Sequence, residues 1–363
     1  MLPDILTSIS GEKITSRYAW ENFRREEIRH LFEHYVYGER PKNSPDTLEF
    51  SVETLNPDKD GALVRRINIC ADGYSYSVLS FTPKDKTGVP TFLYFMHEFQ
   101  ENNSELLSEP NCKFIPIIDI VKRGYGVVVM YFSSIYPDVL RNLHHRTGMF
   151  ERYLPSEKNR RDSDWAAISA WAYAASIVAD YMVTDPLFDS DNLAVAGHSR
   201  GGKTALWTAA LDERFSFAVS NSSGCMGAAL LRGKEGEHID AISANTDWFN
   251  KNQAKYALYE EMLPVDQHML LSLIAPRFIY IQSSSEDRWA DPVAERRSAR
   301  LASEVYKLYG HKGAVLPEES EILLNTPYHE GYIGHHTTEG AHRIAACDWD
   351  MFISFWEKRR KGY

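Results

Sequence analysis

The sequence predicts an α/β protein whose central sheet is mostly parallel and covered by helices on both faces. From Pro90 onward, short apolar stretches of strand length alternate with segments of helical periodicity, which is typical of successive β-α-β units. The strand-like stretches are apolar along most of their length, as expected for strands buried on both faces. With 363 residues, 44% of them hydrophobic, the chain has enough apolar material for the core of such a fold.

The residues before Pro90 have a different character. Apolar residues recur at helical spacing from Ala19 to Tyr35, after Ser16 as a candidate N-cap, and predict a helix. Two strand-like stretches follow, Ala62 to Cys70 and Tyr74 to Phe81. They are separated by Ala-Asp-Gly at 71–73, which predicts a hairpin.

The later strands and helices are predicted in alternation. The strands lie at Thr91 to Phe95, Gly126 to Phe132, Leu193 to Ala196, Phe217 to Ser220 and Phe278 to Gln282. Segments of helical character lie at 112–123, at 164–182 and from 201 onward, and the stretch 224–276 is predicted to be an insertion over the active site. Because ligands bind at the carboxyl ends of the strands in such sheets, we expect the functional site at that edge.

Composition excludes some classes of partner. Lys and Arg total 40 and Asp and Glu total 50, which gives a net charge of −10. This surplus of negative charge argues against nucleic acid and acidic membranes as partners. We expect a monomer with a single domain over 1–363, in which 1–88 form an N-terminal helix and hairpin extension. No signal peptide is visible, so we expect a cytoplasmic protein, or a secreted or periplasmic one if a leader has been removed.

The most informative stretch matches two motifs at once. Gly197-His198-Ser199-Arg200-Gly201 is G-x-S-x-G, the nucleophile elbow that projects a serine above a sheet. Residues 197–204 also match G-x-x-x-x-G-K-[ST], the phosphate loop of nucleotide-binding proteins. A phosphate loop usually follows an early strand, whereas several predicted strands precede this motif. The next predicted strand runs into Ser-Asn-Ser at 220–222 instead of Asp. The elbow is therefore favoured, and the phosphate loop is kept as an alternative.

An elbow serine requires an acid and then a histidine later in the chain. The predicted strand at 278–282 runs into a loop that ends in Glu286 and Asp287, which places carboxylates at the carboxyl edge of the sheet. His342 follows, just before an amphipathic helix. We assign Ser199 as the nucleophile, His342 as the base and Asp287 as the acid, with Glu286 as the rival acid.

Two other histidines offer alternatives to His342. His335 and His336 are rival bases, and with His342 they form a possible metal cluster. No carboxylate stands at a ligand-like spacing on a predicted helix. We therefore expect neither a metal nor a cofactor.

Further residues are candidates for binding. Arg200 follows the serine directly, so its guanidinium is a candidate oxyanion donor. Lys203 stands one helical turn after Ser199. Two cations beside a nucleophile suggest a substrate with several hydroxyl or carboxyl oxygens. Trp289 is a candidate for stacking on a sugar, and Glu237 and Gln267 are candidates for binding sugar hydroxyls.

Other segments accompany the elbow along most of the chain. They are Asp212-Glu213-Arg214-Phe215, Ala275-Pro276-Arg277, Ser285-Glu286-Asp287-Arg288-Trp289-Ala290-Asp291-Pro292 and Asp348-Trp349. Together with residues 197–207, where the Ser-Arg pair and the following Gly-Lys are the most specific part, they resemble the glucuronoyl esterases. This is carbohydrate esterase family 15, and the resemblance is particularly to its bacterial branch.

The resemblance implies a three-layer α/β/α sandwich of α/β-hydrolase type with an open cleft. It also implies hydrolysis of the ester that joins glucuronic acid of glucuronoxylan to a lignin alcohol, or of alkyl glucuronates. Carried over by position, it assigns the nucleophile to Ser199, the base to His342, the oxyanion donor to Arg200 and ring contacts to Lys203, Glu237 and Trp289.

The sequence departs from the family pattern in two places. Many members carry a Glu in the loop after the strand that follows the elbow, whereas Ser220-Asn221-Ser222-Ser223-Gly224-Cys225 holds no carboxylate. This departure favours Asp287 as the acid. A segment expected as Asn-Phe-x-Gly-Asn-His reads Glu98-Phe99-Gln100-Glu101-Asn102-Asn103, which bears on substrate choice.

The sequence therefore predicts a serine esterase that acts on esters of glucuronic acid through a Ser-His-Asp triad and an acyl-enzyme. The alternative of the same class is an acetyl xylan esterase or another carbohydrate deacetylase. The alternatives of other classes are a nucleotide-binding phosphate-loop protein and an inactive hydrolase-fold binding protein.

Overall fold

The structure is a computed structural model that describes residues 1–41, 44–97, 103–138, 147–153, 160–245 and 247–360. Within these ranges the strands form one nine-stranded sheet. They are β1 (Leu48–Lys59), β2 (Ala62–Ala71), β3 (Tyr74–Pro83), β4 (Val89–Met96), β5 (Gly126–Tyr131), β6 (Phe188–His198), β7 (Phe215–Asn221), β8 (Phe278–Ser284) and β9 (Ile333–Thr338). The departing segment at 98–103 lies, except for its last residue, outside the described residues.

Helices connect and flank these strands. The α-helices are α1 (Arg17–Ala19), α2 (Arg25–Phe32), α3 (Asn103–Ser108), α4 (Ile117–Lys122), α5 (Phe150–Tyr153), α6 (Ala167–Met182), α7 (Arg200–Leu211), α8 (Ile239–Asn245), α9 (Lys251–Ala254), α10 (Gln267–Ser272), α11 (Pro292–Leu308) and α12 (Ala346–Arg360). Wider π turns lie at Trp20–Arg24 and Glu33–Tyr37, and 3₁₀ turns at Phe132–Ser134, Glu260–Met262 and Glu319–Glu321. Among these described helices, none combines the length and the apolarity that crossing a bilayer requires.

The sheet order is β1-β2-β3-β5-β4-β6-β7-β8-β9. Five of its eight pairings are parallel, from β5-β4 through β8-β9, and the three that involve β1, β2 and β3 are antiparallel. The predicted α/β class with a mostly parallel sheet is therefore confirmed. The parallel strands β4, β6, β7, β8 and β9 bring their carboxyl ends to one edge.

Successive side chains of a strand point to opposite faces of the sheet, and β4 shows how each face is covered. Leu93 and Phe95 belong to an apolar layer that also contains residues of α6 and α7. Phe92 and Tyr94 belong to a second layer with residues of α4 and α12. Helices thus lie on both sides, which gives three layers.

The predicted N-terminal helix and hairpin are both present. Helical residues run from Arg17 to Tyr37, and Ser16 Oγ caps them by accepting from the N–H of Ala19 at 3.1 Å. In the hairpin, Asp72 and Gly73 have φ values of 50° and 84°, the pair of positive values that suits a tight two-residue turn. The strands β1 and β9 were not predicted.

The N-terminal helix packs on the helix that follows the elbow. Trp207 of α7 stacks on Tyr37 with ring centroids 4.5 Å apart, and its indole N–H donates to Ser169 Oγ at 2.9 Å. The Tyr37 hydroxyl donates to the carbonyl of Met226 at 2.7 Å. Residues before Pro90 therefore support the loop that follows β7.

Trp207→Ala tests this packing. The substitution removes a fully buried ring, so we expect it to lower the free energy of unfolding by about 3–5 kcal/mol. Urea unfolding followed by circular dichroism measures the change. The matched control is Trp289→Ala, whose ring is 57% exposed and whose effect should stay within about 0.5 kcal/mol. Equal losses in the two variants would contradict the prediction.

Candidate active site

A sharp turn at the carboxyl edge of the sheet carries Ser199. The turn lies between the end of β6 and the first residue of α7, and Ser199 has φ 57° and ψ −123°, a region that non-glycine residues rarely adopt. A Cβ on Gly197 would lie 2.2 Å from the carbonyl carbon of Gly201. The turn therefore requires glycine at 197, and it has the geometry expected of a nucleophile elbow.

A His-Asp pair lies at the same edge. Asp287 follows β8 and His342 follows β9, and Nδ1 of His342 is 2.6 Å from Oδ2 of Asp287. The Asp287 side chain is 4% exposed, whereas that of His342 is 42% exposed. Burial alone would raise the pKa of Asp287, but the hydrogen bond and charge of His342 outweigh it and hold that pKa below its usual value. Asp287 is therefore an ionised partner for the imidazole.

The carboxylate that contacts His342 is that of Asp287, while Glu286 is exposed. Backbone bonds join the two loops around this pair. The N–H of Glu286 donates to the carbonyl of Gly340 at 2.8 Å, and the N–H of Gly340 donates to Ser285 Oγ at 3.1 Å. The loops after β8 and β9 are thus held side by side.

His198, the residue before the serine, lies against the base. Its ring centroid is 4.5 Å from that of His342, and its Nδ1 is 2.5 Å from Oδ1 of Asn221. Burial, together with the charge of His342, lowers the pKa of His198 to about 3. His198 is therefore neutral at neutral pH and places no positive charge against His342.

Arg200 lies between an acid and an aromatic ring. Its guanidinium contacts the carboxylate of Asp138 and stands 4.5 Å from the centre of the Trp248 ring, whose indole N–H donates to Asp138 at 2.9 Å. Burial alone would raise the pKa of Asp138, but its hydrogen bond to His97 and the charge of Arg200 lower it below the usual value. The guanidinium next to Ser199 is thus held in a fixed place.

Lys203 is buried beneath the loop that follows β7. Its ammonium donates to the carbonyls of Ser223 and Cys225, each at 2.6 Å, and lies 3.6 Å from a carboxylate oxygen of Glu237. A phosphate-loop lysine presents its ammonium to phosphate. Here two carbonyls and a carboxylate occupy that ammonium, which argues against the nucleotide-binding alternative.

The other predicted binding residues differ in where they lie. Glu237 donates its backbone N–H to the carbonyl of Trp289 at 2.9 Å, so the structure brings Lys203, Glu237 and Trp289 together. Gln267 is fully buried at the start of α10, and its amide donates to the carbonyl of Gly227 at 3.0 Å. The amide nitrogen of Gln267 is thus bonded within the protein, and a contact of this residue with substrate stays a prediction.

The rival histidines lie on β9. His335 and His336 are both buried, and His336 Nε2 is 2.9 Å from Oδ1 of Asp348. Both side chains are thus enclosed, whereas the side chain of His342 is 42% exposed at the edge that carries Ser199. Within the part of the chain that the structure describes, no group of three or more His, Cys, Asp or Glu residues is arranged to hold a metal ion.

Sequence reasoning missed a buried acid close to the site. Glu295 on α11 is fully buried, and its carboxylate accepts from the N–H of Gly224 at 2.9 Å and from Ser283 Oγ at 2.5 Å. Burial raises its pKa to about 7. Glu295 thus joins the loop after β7 to the end of β8. Nothing in its helical spacing distinguishes it from a solvated helix residue.

The sequence matches relatives of known class. A family model described as "Glucuronyl esterase, fungi" matches residues 154–310. Carbohydrate esterase MZ0003, from an unknown prokaryotic organism, is 33% identical over 396 aligned residues, which cover 99% of this chain and 90% of the relative.

Two solved structures superpose on nearly the whole chain. A promiscuous CE15 esterase from the marine bacterial metagenome has a TM-score of 0.84 and 31% identity, with 98% of this chain and 96% of the other covered. A glucuronoyl esterase from Solibacter usitatus has a TM-score of 0.87 and 28% identity, with 98% and 97% covered.

The sheet and its elbow, taken with these relatives, define a carboxylic ester hydrolase of the α/β-hydrolase fold. Within that class the chain belongs to the glucuronoyl esterase family, carbohydrate esterase family 15. The predicted family, fold and enzyme class are confirmed.

The raised pKa of Glu295 predicts a pH-dependent contribution to stability. A carboxyl that binds its proton more tightly in the folded chain stabilises it below the usual pKa of 4.5, and this contribution is lost as pH rises through about 7. Glu295→Gln carries no charge to bury. From pH 5 to pH 8, we therefore expect the stability of the variant to rise relative to wild type by about 2–3 kcal/mol.

Urea unfolding at both pH values measures this change. Glu286→Gln, an exposed acid in the adjoining loop, is the matched control and should show no such trend. A difference between wild type and Glu295→Gln that does not vary with pH would show that Glu295 does not titrate in this range.

Proposed function

We propose that this enzyme hydrolyses esters of glucuronic acid through Ser199, His342 and Asp287. The observation that carries the proposal is the 2.6 Å contact of His342 and Asp287, at the same sheet edge as an elbow serine whose neighbour, Arg200, is held by Asp138. Membership of the glucuronoyl esterase family supports the choice of substrate.

The proposed reaction has two halves. His342 takes the Ser199 proton as Oγ attacks the ester carbonyl, and the ionised Asp287 stabilises the imidazolium. The alcohol then leaves with that proton, and an acyl-enzyme remains. Water attacks the acyl-enzyme, with His342 again as base, and returns Ser199 and a free uronic acid. One ester and one water thus give one acid and one alcohol.

Arg200 is the proposed oxyanion donor. Its backbone N–H is the first of α7, and the first N–H groups of a helix have no acceptor within the helix and carry positive partial charge. Its guanidinium adds a charged donor beside the serine. Because Asp138 and Trp248 hold the guanidinium, little reorganisation is needed when negative charge develops on the carbonyl oxygen.

The uronate ring is proposed to bind beside Trp289. The indole is exposed, and its backbone is joined to Glu237, whose carboxylate lies close to Lys203. An exposed aromatic face next to a half-buried carboxylate suits a ring that carries several hydroxyl groups. The buried ammonium of Lys203 holds that carboxylate in place.

A carbohydrate deacetylase is the second candidate. The same triad attacks either kind of ester, and a relative at 31% identity is described as a promiscuous CE15 esterase. The comparison that decides is the turnover of benzyl glucuronate against the release of acetate from acetylated xylan, with Ser199→Ala as the blank. Faster deacetylation would overturn the glucuronoyl proposal.

The choice of acid is tested with neighbouring residues. Asp287→Ala removes the partner of the imidazole, so we expect kcat for p-nitrophenyl acetate to fall by about 1,000-fold or more. Glu286→Ala alters an exposed side chain and should leave kcat within about twofold. If Glu286→Ala alone inactivates the enzyme, the assignment of the acid is wrong.

Trp289→Ala tests the ring contact. Loss of one aromatic stacking partner is worth about 0.5–1.5 kcal/mol, so we expect KM for benzyl glucuronate to rise about 2- to 10-fold. Initial-rate kinetics measure it. Tyr18→Ala, which removes another exposed aromatic ring, is the matched control. An unchanged KM in Trp289→Ala would exclude this residue from the ring site.

A further inference from the structure

Asp348 has an unusual set of partners. It lies in the first turn of α12 and is fully buried. Its Oδ1 accepts from Thr338 Oγ1 at 2.6 Å and from His336 Nε2 at 2.9 Å. Its Oδ2 accepts from the backbone N–H of Ala345 at 2.7 Å. One carboxylate therefore accepts three hydrogen bonds, from two different parts of the chain.

Two of these donors stand at the two ends of the segment that carries His342. Thr338 is the last residue of β9, and Ala345 directly precedes α12. Residues 339–343 between them are exposed or half-buried. Ile344 is buried in the apolar layer that contains residues of α4 and α12. Gly340 is bonded to the loop after β8, but the segment has little buried surface, so its course depends also on where its ends are fixed.

His336, the third partner of Asp348, links this carboxylate to the neighbouring strand of the sheet. His336 Nδ1 is 3.0 Å from the Tyr280 hydroxyl, which is 2.9 Å from Nε2 of His329. Burial alone would raise the pKa of Asp348, but the hydrogen bonds from His336 and Thr338 lower it below the usual value. The carboxylate thus stays ionised and accepts with both oxygens. His336 has no access to substrate, because it is 2% exposed.

We propose that Asp348 is a positioning residue that sets the place of His342 by holding both ends of the segment 339–344. The proposal rests on the proposed role of His342 as the base. That imidazole must reach Asp287 with one nitrogen and the serine with the other. A displacement of about 1 Å from such a geometry costs about 100-fold in rate.

Asp348→Asn tests the proposal in the full chain. An amide offers one accepting oxygen and one donating nitrogen, so it places a donor against a donor at one end of the segment. We expect kcat for p-nitrophenyl acetate to fall about 10- to 100-fold with KM within about twofold. Labelling of Ser199 by a fluorophosphonate should slow by the same factor. Added imidazole, which can act in place of a displaced base, should restore part of the rate.

Two further variants keep the test decisive. Asp350→Asn changes an exposed acid of the same helix that pairs with Arg123 and should leave kcat unchanged. Thr338→Val removes one of the three hydrogen bonds with little change of shape, and should lower kcat about 3- to 10-fold. If Asp348→Asn does not fold, Thr338→Val tests the proposal in its place.

Two results would overturn the proposed role of Asp348. A folded Asp348→Asn with wild-type kcat overturns the proposal, as does a loss that equals the unfolded fraction by circular dichroism and is not restored by imidazole. Neither probe contains a uronic acid, so a wrong substrate does not affect this result. If His342→Ala retained full activity, the proposed reaction itself would fail.

Discussion

The close approach of β6 and α7 is the constraint on which the site depends. Where Gly197 meets Gly201, a single methyl group on the first glycine would collide with the backbone of the second. The helix α7 begins directly after Ser199, so Arg200 and Lys203 both lie within its first turn. Arg200 reaches Asp138 and Trp248 on one side, and Lys203 reaches the loop after β7 on the other.

Buried ionisable groups then hold the surrounding loops in place. Lys203 and Glu295 bind the loop after β7 from two sides, since one donates to its carbonyls and the other accepts from an N–H. A buried charge is tolerated only where hydrogen bonds compensate for the loss of water. Each of these groups has such bonds, so moving a loop would leave a buried ammonium or carboxyl group without its partners. The loops are therefore less free than their lack of regular structure suggests.

The sequence predicts the proposed reacting groups because chain order constrains them. Ser199 is recognised by its glycines, and an elbow requires an acid and a histidine later in the chain. Asp138 and Trp248 could not be predicted, because they lie in loops and meet Arg200 only through the tertiary fold. The strand β9 was missed because Ile-Gly-His-His-Thr-Thr is largely polar. Its histidines are buried all the same. His336 is bonded through both ring nitrogens, to Tyr280 and Asp348, and His335 through Nε2, to Thr337.

The unequal exposure of the His-Asp pair has a consequence for what can approach it. Asp287 is enclosed, whereas nearly half of the His342 side chain faces solvent. For the proposed reaction, the water of the second half can reach the imidazole from bulk solvent without a channel. A base at the surface also admits a branch in the middle of a long polymer, with no chain end to be threaded.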